Sequence, residues 1–230
     1  MKYLDFENIL SAKRMGRYLS AVGGDTRKAM TLYRENLRLS QELFTIVSCF
    51  EVALRNAIDN QLSLRLGQDW LRNSVLPGGI FDSGNTDKTK NIISIAYRKL
   101  SSQGRYSPSK LLAEMEFGVW KYMFSAPQYR ATGQVLLNVF PTKPASSRTI
   151  QYNNTYIFNE LDKVNSLRNR IAHHEPICFK LHQPIIDINY VLNEYQKIQT
   201  LFSWMGIDSR SMLYGLDHVQ NVCAKIAALM

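Results

Sequence analysis

The chain has 230 residues, 45% of them hydrophobic, which suits one globular core and excludes a disordered or low-complexity chain. Lys and Arg number 28 against 19 acidic residues, and the formal net charge of +9 favours a polyanionic partner without naming one. Cys49, Cys178 and Cys223 are odd in number and far apart, so neither a disulfide framework nor a four-ligand zinc site is implied. The opening Met1-Lys2-Tyr3-Leu4-Asp5 leads into Glu7 rather than an apolar stretch, and no apolar run is long enough to span a bilayer. A cytoplasmic protein without a membrane segment is expected.

In chain order, Gly23-Gly24 reads as a break and Asp25 as the N-cap of a helix starting at Thr26. Leu39, Leu43, Val47, Phe50, Leu54, Ile58, Leu62 and Leu66 recur at steps of three and four, predicting a long amphipathic helix closed near Gly67. Residues 67–86 read as mostly loop, from Pro77, Gly78, Gly79 and Gly84. Asp87 caps a helix carrying Ile92, Ile93, Ile95, Ala96 and Leu100. After a break at 101–108, an apolar stretch from Leu111 through Trp120 to Phe124 is ended by Pro127, and a short helix runs on to Phe140. Residues 141–147 form a loop. A helix from about Tyr152 reaches His173 and is stopped by Pro176; two more cover about 187–204 and 216–229. No stretch alternates in the manner of a strand, so the fold class is all-α.

The helix before Pro176 carries an anomaly. Ile157, Leu161, Val164, Leu167 and Ile171 form its apolar stripe, and Arg168 projects within about 40° of the centre of that stripe. A guanidinium there is costly unless paired, and departures of this kind gather at functional sites. Glu51 intrudes in the same way among Val47, Phe50, Leu54 and Ile58. Two readings stay open for these charges: a structural ion pair, or a catalytic role. Asn169 and His173, four apart, share a helix face, and His173-His174-Glu175-Pro176 closes the helix. The histidines either finish a helix whose C-terminus favours cations, or do proton chemistry. No third ligand at useful spacing supports a metal.

The run Leu167-Arg168-Asn169-Arg170-Ile171-Ala172-His173-His174-Glu175-Pro176 resembles the active-site motif of the HEPN superfamily, an Arg, four to six residues, then His, with a polar residue after the Arg. The His-His-Glu-Pro ending is similar to the Abi-like (abortive infection) family within it. Phe50-Glu51-Val52-Ala53-Leu54-Arg55-Asn56-Ala57-Ile58 resembles that family's first long helix, and Glu116-Phe117-Gly118-Val119-Trp120 its Phe-Gly-x-Trp signature. The resemblance implies a HEPN-type helical bundle over 1–230 as a single domain, with an inserted loop and helix region at about 67–150. It further implies a homodimer whose two motifs form one metal-independent endoribonuclease site, active in antiphage defence or toxin–antitoxin systems.

In that reading Arg168 and His173 are catalytic, with Asn169, His174, Glu51 and Arg55 in support. RNA is the substrate, a small RNA or a protein is the antitoxin, and no cofactor or metal is required. Arg168 and His173 lie about 140° apart on a helix, so the site needs either two protomers or unwinding before Pro176. The alternative function is a non-catalytic RNA-binding or assembly module of the same fold. Arg14, Arg17, Arg27, Lys28, Arg34 and Arg38 line an RNA path or form a solvated helix face, given Asp25 and Glu35 among them. His182 and His218 receive no role.

Overall fold

Asp25 does start a helix: its Oδ1 accepts from the amides of Arg27 (2.9 Å) and Lys28 (3.0 Å). Those two bonds, that of Lys28 foremost, hold its carboxyl below the usual carboxylate range. A computed structural model describes residues 1–230, and its helices in order are α1 (Tyr3–Leu10), α2 (Ala12–Ala21), α3 (Thr26–Leu66), α4 (Trp70–Asn73), α5 (Asp87–Ser102) and α6 (Pro108–Ala113). They continue as α7 (Phe117–Tyr122), α8 (Ala126–Ala131), α9 (Asn154–Ala172), α10 (Asn189–Trp204), α11 (Ser209–Met212) and α12 (Val219–Ala227). The single β-pairing is an isolated bridge between Phe179 and Ile186. The all-α expectation holds. No helix is long and apolar enough to cross a membrane.

The chain divides into two compact units, and α3, α9 and α10 each contribute a segment to both. The first comprises Met1–Ser48, Ser166–Thr200 and Asp208–Met230. Its core takes Met15 and Tyr18 from α2, Leu32, Leu39, Leu43 and Ile46 from α3, and Leu167 from α9, all with no exposed surface. The ring of Tyr18 packs between Tyr33 and Phe179, with centroids 5.2 and 5.0 Å away. On α12, Val219 and Ile226 are likewise buried, and the start of that helix is tied down by Glu42, whose Oε2 accepts the His218 amide (3.0 Å) and lies 3.4 Å from its Nδ1. His218, which the sequence leaves without a role, is a structural tether.

The second unit comprises Cys49–Asn165 and Leu201–Ile207. Here Phe50, Leu54, Ile58 and Leu62 of α3 are wholly buried, as the periodicity requires, and each contributes about 1.5–3 kcal/mol by leaving water. The Phe50 ring meets Phe117 (6.3 Å) and Phe202 (5.1 Å), so two of the resembling segments touch in this core. Segment 67–86 is mostly turn, yet it includes α4, whose Trp70 donates its Nε1–H to Asp59 (2.7 Å). Three local readings need correction. No single short helix runs to Phe140: α8 ends at Ala131, Gln134 turns to φ +62°, and Leu136–Val139 forms a separate 3-10 segment. The stretch 111–124 is not continuous: α6 ends at Ala113 and α7 starts at Phe117. Pro127 does not end a helix but sits in the first turn of α8, where its missing N–H costs nothing.

Candidate active site

The end of α9 is shaped by its backbone. Beyond Ala172, the His173 amide still donates to Asn169 O (2.9 Å), so His173 stays on the helical path. His174 then turns to φ +56°, its amide donating to Ile171 O (3.0 Å) and that of Glu175 to Arg170 O (2.9 Å). This pair of bonds is a Schellman ending, which usually places glycine where His174 stands. Where an apolar contact commonly seals such an ending, a charged one does so here: Arg170 Nε lies 3.3 Å from Glu175 Oε2, and Arg170 Nη2 donates to Pro176 O (2.9 Å). The same guanidinium lies 4.8 Å from the Tyr190 ring centroid. Arg170 therefore fixes the helix end and is not free for chemistry.

Because α9 keeps its path through His173, unwinding does not bring His173 round to Arg168. The two remain about 140° apart around the axis. Arg168 is half-buried, and its Nε is shielded from solvent without a hydrogen-bond partner. Asn169, His173 and His174 are exposed, and no hydrogen bond or ion pair engages the ring of His173. Glu51 and Arg55 belong to the other unit, both half-buried on α3, where Arg55 Nε donates to Asn56 Oδ1 (3.3 Å). No group of three or more His, Cys, Asp or Glu side chains is placed to hold a metal.

The chain just past the motif is clamped. Asn36, 3% exposed on α3, accepts through Oδ1 the amides of Ile177 (2.9 Å) and Cys178 (3.1 Å). A short hairpin follows, in which the amides of Lys180 and Asp187 bond Ile185 O and Cys178 O (2.9 Å each). Sequence reasoning passed over Asn36, although the rule that exposed Arg168 applies to it. It stands four residues after Leu32 and three before Leu39, a polar group inside an apolar stripe. Burial also sets Cys178 apart, pushing its thiol up to about 12.

Helix α2 lies against this ending. Arg14 Nη1 donates to His174 O (3.0 Å), and Arg17 Nη2 to Lys180 O (3.2 Å) and Gln183 O (3.0 Å), with the Arg17 guanidinium 4.7 Å from the Phe179 ring centroid. Arg14 and Arg17 thus belong to the site's rim. The other basic residues are exposed on α3. Glu35 is buried and holds Arg38 at 2.5 Å, Arg34 covers the Phe6 ring at 5.2 Å, and Arg27 and Lys28 stand at the start of α3.

A family model described as "Abi-like protein" matches residues 3–178, and the chain belongs to that family. The match runs from α1 through the Asn36 clamp and contains the whole Arg168–Pro176 run. Membership implies a function in abortive infection, the defence of bacteria against phage. No curated protein and no solved structure matches the chain.

Proposed function

We propose that this protein is a metal-independent endoribonuclease of the HEPN type, acting as the toxin of an abortive-infection system in the cytoplasm. The observation that carries the reading is the unengaged, exposed imidazole of His173 at the end of α9, five residues after the half-buried Arg168. RNA brings its own nucleophile. In the proposed step His173 accepts the proton of a 2′-OH, whose oxygen attacks the adjacent phosphorus while the bond to the 5′-oxygen breaks. The departing oxygen takes a proton from water and protonated His173 gives its own back to solvent, leaving a 2′,3′-cyclic phosphate and a 5′-hydroxyl. Arg168 offers a fork of donors to the phosphate as charge builds on it.

Since one α9 presents Arg168 and His173 on different faces, the working site is assigned to a homodimer in which one protomer's Arg168 joins its partner's His173. Asn169 and His174 are assigned to orienting the phosphate. Glu51 and Arg55 are assigned supporting roles as charges set into the apolar row of α3. A small RNA or a protein partner restrains the toxin. The test is cleavage of a labelled RNA, with and without EDTA, by the wild-type chain and by His173→Ala. Metal-free cutting that is lost in His173→Ala, with an unchanged melting temperature, is expected. Equal cutting by the two sinks the mechanism, and RNA binding without any cutting leaves the alternative, a non-catalytic RNA-binding module.

A further inference from the structure

Two grooves in the first unit meet beside the motif and share Arg17 and Pro176. One, of about 370 Å³, is lined by Ser11, Lys13, Arg14, Arg17 and Pro176. The other, of about 290 Å³, adds Arg170, Glu175, Leu181 and His182. The first contains no carboxylate at all. In the second the only one, Glu175, is answered by Arg170 at 3.3 Å. Three cations of α2 are therefore turned into a trough whose floor is the proline that follows the motif.

The cations are held in place before any ligand arrives. Arg14 spends one Nη1 hydrogen on His174 O, and Arg17 is pinned by two carbonyls and by the Phe179 ring. A guanidinium has five N–H donors, so each retains others for an anion. Lys13, exposed and without an ion pair, supplies a mobile charge at the outer edge. Arg14, which lines the trough, bonds the carbonyl of the residue directly after His173, so the basic lining is tied to the end of the motif.

We propose that Lys13, Arg14 and Arg17 form a phosphate track for single-stranded RNA, gripping backbone phosphates next to the cleaved one. The inference rests on the nuclease reading only for the direction of the strand. A track of this kind fixes register and carries no base preference, since its donors meet phosphate oxygens and not base edges. Its affinity falls with salt, because each phosphate contact releases condensed counterions.

The experiment measures fluorescence polarisation of a short labelled single-stranded RNA on the full-length chain carrying His173→Ala, which keeps the probe intact, over a range of salt. Lys13→Gln touches nothing in the fold. It is expected to weaken binding and to lower the slope of log affinity against log salt by about 0.7, the value for one phosphate contact on a single strand. Lys13→Glu weakens binding further, and Lys225→Gln on α12, exposed and outside the trough, changes neither quantity. In cleavage by the chain with His173 intact, Lys13→Gln raises KM with kcat kept. Equal binding by Lys13→Glu and its parent overturns the track, as does a mononucleotide that binds as tightly as the oligonucleotide. A chain that cuts RNA but binds it independently of Lys13 removes the track and spares the nuclease. A chain that never cuts while Lys13 governs binding does the reverse.

Discussion

Replacing Asn36 by Leu removes a hydrogen-bond acceptor while keeping the branched four-atom skeleton of the side chain, so its cost reports chiefly on the clamp behind the motif. In the wild-type chain one oxygen serves two buried amides, those of Ile177 at 2.9 Å and Cys178 at 3.1 Å, in a segment where Ile177 and Cys178 have no exposed surface. Leu offers neither amide a partner, and water does not reach them. A buried donor left unsatisfied costs about 1–3 kcal/mol, so two cost about 2–6 kcal/mol, set against a total of about 5–15 kcal/mol for a domain. The substitution therefore takes the chain close to its stability limit, and urea denaturation followed by circular dichroism reads it directly. Amide exchange at Ile177 and Cys178 should rise ahead of exchange in the core of α3, since the hairpin is released first. A loss below about 1 kcal/mol, with protection of those amides intact, would refute the view that Asn36 fixes the chain beyond the motif.

Arg168→Met keeps the apolar stem and deletes a buried, unpartnered Nε, so it should leave the melting temperature equal or higher while RNA cleavage is lost. His174→Gly relieves a left-handed conformation held at φ +56° by a residue with a Cβ and should stabilise the chain by about 1 kcal/mol in thermal melts, with a smaller loss of cleavage than His173→Ala. Among the thiols, Cys49 is half-buried, whereas burial pushes Cys178 up to about 12 and Cys223 up to about 11. Maleimide at pH 8 should therefore label Cys49 alone in the native chain and all three cysteines in urea, as read by mass spectrometry.

The long helices were legible because their signal is periodic over many turns. The row from Leu39 to Leu62 on α3 and that from Ile157 to Ile171 on α9 are buried as the steps of three and four demand. The short elements were not. The helices α4, α6, α7 and α8 span four to six residues, one turn or little more, too few for a period to repeat. Pro127 misled for a related reason, since the same ring stops one helix or starts the next according to which residues come before it. At the site, the anomaly of Arg168 was visible as a charge in an apolar stripe. The roles of Arg14, Arg17 and Arg170 were not, because each depends on a carbonyl that only the folded chain brings near: 160 residues separate Arg14 from His174.

Backbone strain ties these pieces together. Four residues other than glycine have positive φ: Ser11, Gln134, His174 and His182. Three of them border the basic trough. Ser11 lines its outer groove, His182 its inner one, and the carbonyl of His174 receives Arg14. Each left-handed residue with a Cβ costs on the order of 1 kcal/mol, and glycine at any of the three would avoid it. The chain spends glycine freely on ordinary turns, as at Gly23, Gly104 and Gly206, where a side chain would meet nothing. Its withholding from the turns at Ser11 and His182 puts a hydroxyl and an imidazole on the lining of the trough, which glycine cannot supply. Backbone strain thus gathers at the rim of one groove, the distribution expected when stability has been given up for a site that must meet a ligand.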